Sequence, residues 1–261
     1  MKVSTQIKGI KVQAAVNSSS MFNNKSNIKK IDLKMLDTSN VTNIGGMFEG
    51  CSGLTSLDLT PLNTTNVREM GKIFKGCSDL TSLDLTPLDT LNVKSMNGMF
   101  SNCNGLTSLD LTPLDTSNVA NMEEMFIGCS SLTSLDLTPL DTSNVTNMND
   151  MFYYCNGLTS LDLTPLDTSK VTDMSCMFCA CRGLTSLDLT PLDTSKVTNM
   201  YQMFYGCRGL ATLTTGPSFK FVGTGYYLDG TWHNTAGETF NGNNGTANFP
   251  SNVADTYTKI S

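Results

Sequence analysis

Apolar and polar positions recur along the chain in a unit of 26 residues, with no insertion or deletion between copies. The dipeptide Met-Phe marks the register at Met21, Met47, Met99, Met125, Met151, Met177 and Met203, and Ile73-Phe74 fills the remaining place. Eight coils therefore run from about residue 21 to 210. Each coil holds two hydrophobic periods. In "LTSLDL", residues 106–111, Leu109 and Leu111 fall on one face of a strand, while Ser108, Asp110 and Thr112 fall on the other. Pro113 ends that strand, since it has no N–H to give to a ladder. In "DTSNVANMEEMFIGC", Val119, Met122, Phe126 and Cys129 recur at helical spacing, with Met125 beside them. This predicts a short helix, N-capped by Asp115 or Ser117. Gly128 or Gly105 would supply the positive φ that closes the turn back to the next strand.

One such unit cannot bury its own leucines, whereas stacked units cover one another. The predicted fold class is an α/β solenoid of about eight 26-residue coils, with a parallel β-sheet on one face and short helices on the other. Residues 1–20 have lost the repeat and read as an N-terminal cap or degenerate coil, with "QIKGIKVQAAV" as its strand. Residues 21–215 form the solenoid, and residues 216–261 a small β-rich C-terminal cap holding the only Trp, Trp232, and the only His, His233.

The strand leucines follow the L-x-x-L-x-L spacing of leucine-rich repeats. The whole unit, "DTSNVTNMNDMFYYCNGLTSLDLTPL", resembles the repeat of BspA-like leucine-rich-repeat surface proteins of the DUF285 type. This resemblance covers residues 21 to about 215 and carries no shared catalytic residues. It implies a protein of the cell surface, broadly associated with adhesion and binding.

Charge and cysteine content change the picture in places. Net charge is −6, yet residues 1–36 carry seven lysines against Asp32 alone. The acidic remainder argues against nucleic acid as a ligand, because phosphate binding needs clustered Lys and Arg. No apolar run is long enough to span a membrane, and "MKVSTQIKGI" lacks the apolar core of a secretion signal. The expected location is nonetheless extracellular or at a cell surface, with the signal absent from this chain or with export by another route, such as a phage particle. Seven of the nine cysteines recur at the repeat spacing, from Cys51 to Cys207. They read as free thiols filling the core rather than as disulfides. "CMFCAC" adds Cys176 and Cys179 but lacks the ligand set of a closed zinc centre, so no metal is expected.

No catalytic motif appears: G-x-S-x-G, H-E-x-x-H and Walker-type loops are missing, and His233 has no nucleophile pattern near it. The chain is expected not to be an enzyme and to need no cofactor. Two candidate binding surfaces remain. The first is the outward column Asp58, Asp84, Asp110, Asp136, Asp162 and Asp188, either a solvated face or a polyanionic strip for cations or basic ligands. The second is the position after Met-Phe, which reads Asn23, Glu49, Lys75, Ser101, Ile127, Tyr153, Cys179 and Tyr205 along the rod, with Tyr154 and Tyr201 beside it. That position should be partly exposed in every coil, since Glu and Lys occupy it early. The apolar half of this edge is the expected contact for a protein or glycan on a host or neighbouring cell, or for self-association. The alternative is a purely structural spacer that presents Tyr226, Tyr227, Trp232 and His233 in its C-terminal cap.

Overall fold

A computed structural model describes residues 1, 10–242 and 249–260. The remaining parts of the two expected caps, residues 2–9, 243–248 and 261, lie outside the described part. The repeats stack as a solenoid around one continuous apolar column. Phe22, Phe48, Phe74, Phe100, Phe126, Phe152, Phe178 and Phe204 are fully buried. Neighbouring rings lie nearly parallel, with centroids 5.6–6.2 Å apart. The Met, Val, Leu and Cys columns pack around this stack. Burial of this kind stabilises by roughly 25 cal/mol per Å² of apolar surface, and every coil repeats it.

Helices are absent from the described residues, which corrects the expected short helix on the Met-Phe side. The backbone there makes stacked turns instead. In coil two, the N–H groups of Met47, Glu49 and Cys51 bond back to the carbonyls of Ile44, Gly46 and Phe48 at 3.0–3.1 Å. The alternate N–H groups, of Ile44, Gly46, Phe48 and Gly50, reach forward to Glu69, Gly71, Ile73 and Lys75 of the next coil at 2.7–3.0 Å. Half the donors thus serve the neighbouring coil, and none is left for an i to i−4 helix ladder. Two columns of positive φ enforce this. The residue before each Met-Phe pair, from Ser20 through Gly46 to Gln202, lies at φ 53–60°. The residue before each Cys column position, from Asn24 through Gly128 to Gly206, lies at φ 56–74°. Left-handed residues at such short intervals are incompatible with a right-handed helix. Asp115 accordingly caps no helix; its Oδ1 accepts from the N–H and hydroxyl of Ser117 in a tight turn, at 3.0 and 2.6 Å. Gly128 does supply a positive φ, of 70°. Gly105 serves differently, because a Cβ there would meet the Ser78 and Leu80 carbonyls at 2.5 and 2.7 Å.

The parallel pairing also sits elsewhere than expected. One residue per coil forms a continuous bridge, running Asn17, Asn43, Glu69, Ser95, Asn121, Asn147, Asp173 and Asn199. On the leucine side, strands form only near the ends. Strand β1 (Val12–Gln13) pairs in parallel with β2 (Leu36–Asp37), and β3 (Ser186–Asp188) with β4 (Thr212–Thr215). The "LTSLDL" residues of the coils between form no strand. Just after them the chain turns: the Thr112 N–H goes to Asp110, Pro113 has no N–H, and Leu114 closes onto Leu111 at 3.0 Å. Beyond β4, strands β5 (Thr231–His233), β6 (Thr239–Asn241) and β7 (Asp255–Lys259) complete one sheet in the order β3-β4-β7-β5-β6, antiparallel from β4 onward.

A buried threonine column ties coil to coil where no strand does. Thr90 Oγ1 donates to the Asp115 carbonyl at 2.9 Å and accepts the Asp115 N–H at 2.8 Å, and Thr38, Thr64 and Thr168 do the same one coil away from themselves. Each hydroxyl thereby satisfies a backbone donor and acceptor that would otherwise be stranded. No helix of the described residues is long and apolar enough to cross a membrane.

Candidate binding surface

The aspartate column is exposed, and each carboxylate has a local partner. Asp110 Oδ1 accepts from the Thr112 N–H at 2.9 Å and from its hydroxyl at 2.7 Å. Asp58, Asp84 and Asp136 bind Thr60, Thr86 and Thr138 in the same way, Asp162 accepts the Thr164 N–H, and Asp188 accepts both groups of Thr190. The threonine hydroxyls, and then their N–H groups, hold the Asp58, Asp110 and Asp136 carboxyls below their ordinary pKa; for Asp162 the Thr164 N–H comes first. Asp136 pushes back weakly on Asp110. The column of like charge is thus a column of turn acceptors, each binding within its own coil. Among the described residues, no group of three His, Cys, Asp or Glu side chains is placed to hold a metal ion.

The cysteine column is buried and free of disulfides. Cys129 Sγ–H donates to the Phe100 carbonyl of the preceding coil at 3.1 Å, and the same bond recurs from Cys51 to Cys207. Burial raises the thiol pKa of Cys77, Cys129 and Cys207 to about 12. Cys176 is different. It is half-buried, its thiol meets that of Cys179, and this contact lowers its pKa.

The edge after Met-Phe is less uniform than its polar early members imply. Ser101 is fully buried and Cys179 is 3% exposed, so the position is not partly open in every coil. The two buried members are its small side chains, whereas the longer ones reach partly or fully to the surface. Ile127 and Tyr153 are half-buried, whereas Tyr154, Tyr201 and Tyr205 are 39, 51 and 48% exposed. Tyr153 and Tyr154 meet edge to face with centroids 4.7 Å apart. Tyr205 and Tyr201 both pack edge to face on Tyr227, at 5.5 and 6.0 Å. Between these groups lies a cavity of about 200 Å³, lined by Tyr153, Tyr154, Tyr205, Arg182, Arg208 and Asp229 among others. The Arg182 guanidinium sits 5.7 Å from the centre of the Tyr154 ring, within cation–π range. Ile127 is not part of this lining.

Sequence reasoning on the tyrosines missed both arginines. The signal was present in "CRG", residues 181–183 and 207–209, where the residue after Cys is Ser or Asn in the earlier coils. A larger hollow of about 440 Å³ lies at the opposite end beside Met1, Lys30, Asp32 and Asp58.

The chain matches the family model described as "Mycoplasma protein of unknown function, DUF285" over residues 2–108 and again over 103–215. It belongs to the DUF285 family. No curated protein matches the chain. Among solved structures, this DUF285 chain is similar to a leucine-rich repeat protein of Bacteroides ovatus, with 18% identity over 85% of this chain and 73% of that one, at a TM-score of 0.40. The T. pallidum leucine-rich repeat protein shares 19% identity over 80 and 76% of the two chains, at a TM-score of 0.39. A leucine-rich cell surface protein of Faecalibacterium prausnitzii shares 16% identity over 76 and 75%, at a TM-score of 0.27.

Proposed function

We propose that this DUF285 chain is a non-catalytic binding module of a bacterial or phage surface, making contact through the tyrosine-bearing edge of its last coils. The supporting observation is where the repeat departs from itself. The aspartate face is nearly identical from coil to coil, and its carboxylates serve their own turns. Departures gather at Tyr153, Tyr154, Tyr201, Tyr205, Arg182 and Arg208, most of which are exposed. Tyrosine buries much area with few rotamers to lose, which suits a contact surface. The partner would be a protein or glycan on a host or neighbouring cell. The spacer reading has less to rest on, since Tyr226 and Trp232 are buried and the Trp232 Nε1–H is bonded to the Leu228 and Asp229 carbonyls.

The test is the triple variant Tyr153→Ser, Tyr154→Ser, Tyr205→Ser in a cell-attachment assay and in a glycan and matrix-protein screen. Attachment should fall about tenfold or more, equivalent to ~1.4 kcal/mol, with the melting temperature nearly unchanged. Unaltered attachment by a folded triple variant rejects the edge. Loss of self-association alone would assign the edge to contact between copies.

A further inference from the structure

The cavity beside Tyr154 has a chemistry found nowhere else on the solenoid. Arg68, Arg182 and Arg208 are the only arginines of the chain, and two of these three line this one cavity. In the five preceding coils the corresponding position holds Ser52, Ser78, Asn104, Ser130 and Asn156, so stacking does not require a guanidinium there. Among the described residues neither cavity arginine has a carboxylate within 4.0 Å, the ion pairs being Lys29–Asp79 and Lys75–Glu124. Two arginines without a salt-bridge partner among the described residues therefore line a small hollow on a protein of net charge −6.

The backbone adds a second, independent oddity. At the left-handed position before the Cys column, four coils carry glycine and two carry asparagine, whereas coil six carries Tyr154 at φ 62°. A bulky side chain in that conformation is strained by about 1–2 kcal/mol, and strain of this kind gathers at ligand sites. Here it places the Tyr154 ring next to Arg182.

We infer that this cavity is a subsite for a single carboxylate-bearing sugar ring, such as a hexuronate or a sialic-type residue at the end of a glycan; the assignment rests on the edge being the binding surface. The arginine forks match a carboxylate in two-point geometry. The tyrosine rings offer apolar faces to the C–H side of a sugar, and Asp229 offers an acceptor for a hydroxyl. A volume of about 200 Å³ lies below the roughly 300–1,000 Å³ of sites for drug-sized ligands, which limits the occupant to about one ring. The acidic body favours a singly charged carboxylate over a doubly charged phosphate.

The experiment is saturation-transfer NMR and titration calorimetry on the full chain at low salt, with glucuronic acid, N-acetylneuraminic acid, glucose and a tri-aspartate peptide as probes. At least one acidic sugar should bind in the millimolar range, with glucose and the peptide about tenfold weaker or worse. Arg182→Ser with Arg208→Ser restores the serine of earlier coils and should abolish the difference between acidic sugar and glucose. If that variant melts early, Arg182→Lys keeps the charge but removes the fork, and should weaken the acidic sugar alone. Equal binding of glucose would overturn the inference, as would equal binding of the peptide or no transfer to any sugar. If tyrosine-dependent attachment survives such a result, the binding edge stands and only the acidic-sugar assignment falls. If attachment shows no tyrosine dependence either, both fall.

Discussion

Coils one to four and coils five to eight share one framework and differ at its rim. In the first half, the left-handed positions are held by Gly46, Gly50, Gly76 and Gly98 or by small polar groups, with Lys72 as the bulkiest member. In the second half only Gly128 and Gly206 remain glycine, and Glu124, Asp150, Tyr154, Cys176, Ala180 and Gln202 occupy the other places. The Phe, Met, Cys and Thr columns run through both halves almost unchanged, and the turn hydrogen bonds keep the same lengths. The framework thus tolerates strained and charged residues at its edge because its stability comes from the stack behind them. That separation lets one repeat carry a polar and charged edge at one end and an aromatic one at the other.

The contrast can be broken most severely at the framework. Phe126→Ala in the middle of the ring stack should lower unfolding stability by ~3–5 kcal/mol, measured by urea denaturation. A loss below about 1 kcal/mol would mean that each coil relaxes independently and that the stack is no common support.

At the rim the sign should reverse. Tyr154→Gly puts the residue of Gly50, Gly76, Gly128 and Gly206 into the same left-handed position. It should raise stability by up to ~1 kcal/mol while reducing attachment, a stability–activity trade-off. A destabilised variant would make Tyr154 part of the framework rather than of the rim.

The smallest expected effect lies at Asp150. Burial, and then the nearby Glu124 carboxylate, raise its pKa from 3.8 to about 6, against a favourable contact from Cys176. The folded state therefore holds this proton more tightly than the unfolded state. The stability linked to it is fully present below pH 3.8 and is lost as pH rises through 6. Asp150→Asn should stabilise above pH 6, on the order of 1 kcal/mol once solvent screening of a half-exposed carboxyl is allowed for, and do little below pH 4. The exposed Asp110 has the opposite slope, since its lowered pKa favours the folded state until acid titrates it. Melting curves of Asp150→Asn and Asp110→Asn across pH 3–8 separate the two.

Much of this was legible in the residues. The 26-residue spacing determined the number of coils and the existence of one continuous core, because an unbroken period leaves stacking as the only way to bury the leucines. The inward phase of Cys129 with Met125 and Phe126 likewise determined a buried thiol. The helix was misread because Val119, Met122 and Phe126 satisfy a helical period equally well in a stacked turn ribbon. Gly46 and Gly50 signalled that ribbon, but glycines four apart do not reveal that alternate N–H groups will be taken by the next coil. Asp110 could be read as a charge on a strand face, whereas its Oδ1 is the acceptor of a turn closed by the Thr112 N–H and hydroxyl. Only the tertiary structure decided that Arg182 and Arg208, in different coils, face one cavity with Tyr153, Tyr154 and Tyr205. Period and composition determine what must be buried; which exposed side chains meet depends on how far each coil turns against the last, and that is set by hydrogen bonds between coils.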